Sequence, residues 1–251
     1  MRSFLLLYGD PSGGGFSGDP SELNPEEHYN ETGWYGVAPN ELRTDIVTGT
    51  PKWDTESGSR TPTTQNGLKV QETASGGWTS NTTPKSIASW LNTDVGITMF
   101  FVTRWDGGDN DTLHWWSGDV ANEIFRQKSS GGYMYNHIRD AAANNLIISE
   151  GFLLRSGAWD VWAIRYQNLA NDGKLECFHF QTAATSATAA TWTVVNLNGV
   201  AVGQKLTNND ANSEPWDGAI AEMILFREAL TDDQIQSINA FLTTKWGITA
   251  P

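Results

Sequence analysis

Three carboxylates and a run of aromatic side chains fall within one short stretch, RWDGGDNDTLHWWSGD, from Arg104 to Asp119. Asp106, Asp109 and Asp111 supply hard oxygen ligands of the kind Ca²⁺ takes, although the spacing lacks the closing bidentate Glu of an EF-hand loop. A solvated acidic turn is the plainer reading, and calcium is the cofactor the three would hold if they act together. Trp115 and Trp116 are consecutive, so in a strand they face opposite ways, and the expectation is one in the core and one exposed. An exposed indole stacks on the apolar face of a sugar ring. Either tryptophan, joined by Trp105 or by Tyr133 and Tyr135, would form a glycan platform. Because the chain holds 12 Trp, most must be buried, and a core role competes with a binding role at each of them.

Catalysis finds less support in the residue types. Sugar hydrolysis on a strand calls for two carboxylates at period-two spacing, so that both reach one face. The carboxylate pairs two positions apart, Asp54 with Glu56 and Asp109 with Asp111, stand in Gly-rich or Ser-rich loop contexts. Glu176 and Glu222 are isolated. Glu222 alternates with Ile220, Ile224 and Phe226, which predicts a partly buried carboxylate bonded to backbone or to an arginine. The histidines, His28, His114, His137 and His179, lack metal-ligand spacing. YMYNHIRD sets Tyr135, His137 and Arg139 on one strand face, a combination suited to proton abstraction, but it is a single local coincidence. No catalytic residue is assigned.

The elements that must position these groups are mostly strands. GITMFFVTRW, TLHWW, NLIISEGFLL and WDVWAIRYQN are short β-rich runs between turn signals. In the last of them Trp159, Val161 and Ala163 form one alternate set and Trp162, Ile164 and Tyr166 the other. Both are apolar, which predicts a strand covered on both faces. Asn198-Gly199 between two alternating runs predicts a two-residue hairpin turn. Many strands with no alternating helices predict an all-β sandwich or barrel.

One helix is signalled, directly after the strand AIAEMILF. Thr231 and Gln234 form a capping box, and Leu230 and Ile235 occupy the staple positions. Asp232 and Asp233 suit the positive end of the helix dipole, Lys245 the other end, and Gly247 a left-handed C-cap. Ile235, Ile238, Leu242 and Trp246 make one apolar stripe, expected to dock on the sandwich near an edge or end. Residues 1–50 read as an extended N-terminal arm, and 51–251 as one domain. The aromatic residues of the arm, Phe16, Tyr29, Trp34 and Tyr35, predict that it lies on a surface, either its own domain's or that of a sister subunit.

Charge narrows the partners. With 16 Lys and Arg against 29 Asp and Glu, the net charge is −13, which disfavours nucleic acid and anionic lipid. No stretch has the length of a membrane span, and the apolar run near the start is shorter than a signal-peptide core. The expectation is synthesis in a cytoplasm without export. Cys177, the single cysteine, sits in KLECFHF as a small buried strand residue.

Trp216-Asp217-Gly218, AIAEMILF and REALTDDQIQSINAFLTTKWGI together resemble the C-terminal signature of concanavalin A-like, laminin-G-type jelly-roll domains of the bacterial and bacteriophage type. TVVNLNGVAVGQ resembles a hairpin that such domains carry upstream, and residues 52–70 resemble their opening more loosely. The resemblance implies two antiparallel sheets packed face to face, and loop rims of the sort that often bind calcium. It also implies a virion-associated role, as a phage head-decoration or tail-fibre component. Its arm would reach capsid, tail or sister subunits, and its sandwich would meet cell-surface polysaccharide. A free lectin is the alternative, and a glycan hydrolase or lyase a more distant one.

Overall fold

The computed structural model describes residues 16–23, 25, 27–29, 44–45, 50–51, 55–57, 62–72, 78–81, 85–86, 96–108, 112–118, 123–139, 145–169, 172–190, 196–202, 205–207, 210–213, 216–226 and 228–251. Two antiparallel sheets dominate it, as expected of a jelly-roll sandwich. The first runs in the order Thr182–Ala190, Asp172–His179, Trp159–Leu169, Ile97–Trp105, Gly218–Phe226, Leu68–Glu72 and Pro62–Gln65. The second runs Asn145–Ile148, Tyr133–Arg139, Glu123–Ser130, Thr112–Gly118, Asn196–Val202, Trp78–Asn81 and Thr55–Ser57.

Side-chain alternation builds two apolar layers rather than one. Between the sheets lie Met99, Phe101, Met134, Ile138, Trp162, Ile164, Tyr166 and Cys177. On the outer side of the first sheet lie Phe100, Val102, Val161, Ala163, Ile224 and Phe226, covered by the helix Asp232–Lys245 through Ile235, Ile238, Leu242 and Trp246. The central strand Trp159–Leu169 is therefore buried on both faces, as its two apolar alternate sets require. The helix lies over the face of the sheet, not at an edge or end as its sequence position suggested. The reason is that the outward residues of three adjacent strands are apolar and need cover.

The helix ends follow their signals. The Thr231 N–H donates to Gln234 Oε1 at 2.9 Å, and the Gln234 N–H donates to Thr231 Oγ1 at 3.3 Å. At the other end Gly247 takes φ 60°, and the N–H groups of Gly247 and Ile248 donate to the carbonyls of Thr244 and Thr243 in a Schellman arrangement. Gln65 Nε2 and Asn66 Nδ2 donate to the carbonyls of Trp246 and Lys245 at 2.9 and 2.8 Å, so a hairpin of the first sheet also caps the helix.

That hairpin turns at Asn66-Gly67, with φ of 52° and 75°, both in the left-handed region that a two-residue turn needs. The expected turn at Asn198-Gly199 does not form. Asn196–Val202 is one continuous strand, and Gly199 pairs with Ser117 beside a register shift at Ser117/Gly118. Asn-Gly permits a tight turn without compelling one, and pairing partners on both sides outweighed it here.

The described parts of the N-terminal arm belong to this body. Phe16 and Leu23 pack on the helix-side layer, and Gly18, at φ +90°, passes so close to the helix that an added Cβ would meet the Ser237 carbonyl at 2.5 Å. Glu27–Tyr29 pairs with Met223, Ile224 and Leu225, filling the strand edge beyond the point where Leu68–Glu72 leaves it. Trp34, Tyr35 and the side chain of Tyr29 lie outside what is described.

Candidate functional site

With the helix and the N-terminal segment on the first sheet, the outward side of the second sheet is the other face of the sandwich. A turn at Gly131-Gly132, with φ of 58° and 81°, sets Ser130 opposite Tyr133 and Lys128 opposite Tyr135. Met134, Asn136 and Ile138 are 0% exposed and point between the sheets, so Tyr133, Tyr135 and His137 point outward. The Lys128 ammonium sits 5.2 Å from the centre of the Tyr135 ring, a cation–π contact. His137 meets the same ring edge-on at 6.0 Å and is itself only 8% exposed.

Two apolar side chains border this group. Leu153, 58% exposed, bridges Tyr133, and Ile147, 42% exposed, pairs with His137. The backbone bonds Met134 N–H to Phe152 O and Leu154 N–H to Gly132 O, at 2.9 and 2.8 Å, fix the segment that carries Leu153. Phe152 and Leu154 face the inter-sheet core, which leaves Leu153 turned outward. The result is a shallow strip of aromatic and aliphatic surface with cationic and hydrogen-bonding groups beside it.

Of the five glycan-binding candidates, the structure brings Tyr133 and Tyr135 together here. Register adds the backbone of Trp115, which lies in one row with Arg126 and His137, whereas Trp116 lies in the row of Phe125 and Ile138. The side chains of both tryptophans lie outside what is described. Trp105 is elsewhere. It ends the strand Ile97–Trp105 of the first sheet and packs against the inter-sheet core. Ile147 and Leu153, which sequence reading did not single out, belong to the strip. Their exposure depends on which way a short edge segment faces, and local sequence carries no period long enough to say.

Asp106 is engaged by its neighbour two positions back. Arg104 donates to it through Nε at 2.8 Å and Nη2 at 2.6 Å. Asp109 and Asp111 lie outside the described residues. Among the described residues, no group of three or more His, Cys, Asp or Glu side chains stands where it could hold a metal ion.

The strand carboxylates serve the helix layer. Glu222, 1% exposed, accepts from Lys245 Nζ at 2.9 Å and Trp246 Nε1 at 2.6 Å, two helix-side partners beyond the backbone or arginine that the sequence suggested. A bulge explains how it gets there. Register passes from Ile220↔Thr103 to Glu222↔Val102, so Ala221 is an extra residue. Ile220 thus faces the inter-sheet core while Glu222, Ile224 and Phe226 face the helix, which breaks the simple alternation assumed from sequence. Glu176 pairs with Arg165 Nε at 2.9 Å and with Lys174 Nζ at 2.6 Å, and the Arg165 guanidinium also reaches the Leu230 carbonyl and Asp232 at the helix start. His179 contacts Asp160, which also pairs with Arg155, at 3.0 and 2.8 Å.

No protein-family model matches the chain, and no curated protein matches it. Solved structures do. The binding domain of Paraclostridial Mosquitocidal Protein 1 superposes with a TM-score of 0.64 and 11% sequence identity, over 90% of this chain and 56% of its own. Domain 4 of AbnA, a GH43 extracellular arabinanase from Geobacillus stearothermophilus solved in complex with arabinotriose, gives 0.57 and 13% identity over 85% of this chain and 97% of its own. The receptor binding domain of botulinum neurotoxin type G gives 0.51 and 10% identity over 87% of this chain and 51% of its own. The chain thus spans about half the length of the two toxin domains and nearly all of the arabinanase domain. At these identities the likeness is one of fold, and it establishes the β-sandwich architecture.

Proposed function

We propose that this chain is a non-catalytic carbohydrate-binding module that attaches through the outward face of its second sheet. The observation that carries the reading is the strip of Tyr133, Tyr135, Leu153 and Ile147 on the side of the sandwich opposite the helix. The half-buried rings of Tyr133 and Tyr135, with exposed Leu153 and Ile147 beside them, supply apolar area that sugar rings can cover, and Lys128 supplies a polar group at its margin. The arabinanase domain with its arabinotriose, and two toxin domains named for binding, support recognition as a use of this fold. Binding is favoured over catalysis because Glu176 and Glu222 are committed to buried ion pairs on the helix side.

The setting we propose is a phage-type particle, as head decoration or tail fibre, with a cell-surface polysaccharide as the target. The resemblance of Trp216 to Ile248 to phage jelly rolls supports it, and a free lectin is the alternative. Calcium belongs to the proposal only through Asp109 and Asp111, since Arg104 already occupies Asp106.

Affinity electrophoresis through gels containing neutral or acidic polysaccharides tests the reading. Retardation of the wild-type chain should be lost in Tyr133→Ala and Tyr135→Ala and kept in Gln236→Ala, which alters an exposed residue on the helix. Retardation unchanged by the tyrosine variants would move the site elsewhere. Release of reducing ends that His137→Ala abolishes would establish an enzyme instead.

A further inference from the structure

Two Asn-Gly pairs occur in the chain, at Asn66-Gly67 and Asn198-Gly199. Asparagine followed by glycine is the pairing most open to attack of a backbone nitrogen on a side-chain amide, because glycine has no Cβ to hinder the approach. The fold treats the two pairs oppositely. Asn66 and Gly67 are both exposed at the tip of a two-residue turn, beyond the last ladder pair, Gln65 with Leu68. A Cβ added at Gly67 would meet nothing within 4 Å, so the peptide between the two has room to rotate. Gly199 and its neighbours are instead paired inside the second sheet, with Thr112–Gly118 on one side and with Trp78–Asn81 and Lys85–Ser86 on the other.

Asn66 also holds the end of the helix. Its Nδ2 donates to the Lys245 carbonyl at 2.8 Å, and its Cγ lies so near the last turn that a Cβ added at Gly247 would stand 3.0 Å from it. A carboxylate in the same place would have no proton to donate to that carbonyl, and would meet the negative end of the helix dipole. The Lys245 ammonium already pairs with the buried Glu222.

We propose that Asn66 is a site of spontaneous modification that unlatches the helix end. The Gly67 nitrogen bonds to Asn66 Cγ, the Cγ–Nδ2 bond breaks, and the amide leaves as ammonia with the Gly67 proton. Water then opens the resulting succinimide at either carbonyl, leaving aspartate or isoaspartate at position 66 with no net oxidation. Isoaspartate lengthens the main chain of the turn by one carbon, and so also disturbs the neighbouring Gln65, whose Nε2 donates to the Trp246 carbonyl at 2.9 Å.

Incubation of the full-length chain in mildly alkaline heavy-oxygen water, followed by peptide mass spectrometry over time, tests the proposal. Asn66 should be converted and take up solvent oxygen while Asn198 stays intact, and a short peptide of residues 62–71 sets the rate without the fold. Asn66 still intact when the peptide is fully converted, or Asn198 converted as fast as Asn66, would overturn the site. Aged wild type and freshly made Asn66→Asp should both melt about 2–4 °C below fresh wild type, the shift that losing one hydrogen bond gives a domain of this size. Amide exchange at Trp246, Gly247 and Ile248 should quicken in both. Melting and exchange unchanged in fully converted chain would overturn the role of Asn66 as a latch.

Discussion

Cys177 is fully buried between the sheets, and that burial pushes its thiol up to about 12, with the Asn136 side chain beside it lowering it by less. A thiol whose pKa is raised on folding adds stability in full below the pKa of the unfolded chain and loses it as pH climbs through the folded value. From the ordinary 9.0 towards about 12, unfolding free energy should therefore fall by up to about 1.4 kcal/mol per pH unit from this group. Denaturant unfolding of the wild type and of Cys177→Ala across that window checks it, the variant lacking this part of the slope. Core placement of Cys177 was legible from KLECFHF, where a small thiol alternates with apolar neighbours. Glu222 was only half legible. Its carboxylate announced a partner, but the one-residue bulge at Ala221 and a partner 24 residues away on the returning helix are tertiary facts.

At the scale of elements, the helix is the part that sequence described most fully, because caps, staple and stripe are local and agree. What the sequence left open was the surface under it, since the dock depends on outward residues of three strands distant in the chain. The same contrast separates the two Asn-Gly pairs. Asn66-Gly67 turns because the short strands on either side pair with each other, whereas Asn198-Gly199 is held straight by neighbours on both edges. The helix and sheet are joined by charge as well as by apolar area. Glu222→Ala would leave the Lys245 ammonium partly buried without this carboxylate, and should cost roughly 3–5 kcal/mol. Thr231→Ala, which removes the N-cap hydroxyl together with a methyl on an exposed residue, should cost about 1 kcal/mol. Urea unfolding curves rank the two, and a Glu222→Ala cost no larger than that of Thr231→Ala would mean the buried pair contributes little to docking.

The whole molecule has a layered asymmetry. Helix and N-terminal segment close one side of the sandwich, where Glu176 and Glu222 are held in internal ion pairs, while the opposite side carries the half-buried Tyr133 and Tyr135 rings and the exposed Leu153 and Ile147. Sequence gave access to the fold class and to Tyr133 and Tyr135, because period-two alternation survives intact in that strand. It did not separate Trp105 from them, since only the sheet order shows that Trp105 ends a strand of the other sheet. Hydroxyl-radical footprinting of the full-length chain, with and without a saturating polysaccharide that retards it in affinity gels, tests the binding face most directly. Protection of Tyr133, Tyr135, Ile147 and Leu153, with Trp159 and Phe241 on the helix side unchanged, is the predicted result. Protection confined to the helix side, or to the Trp105 end of the sandwich, would contradict the account.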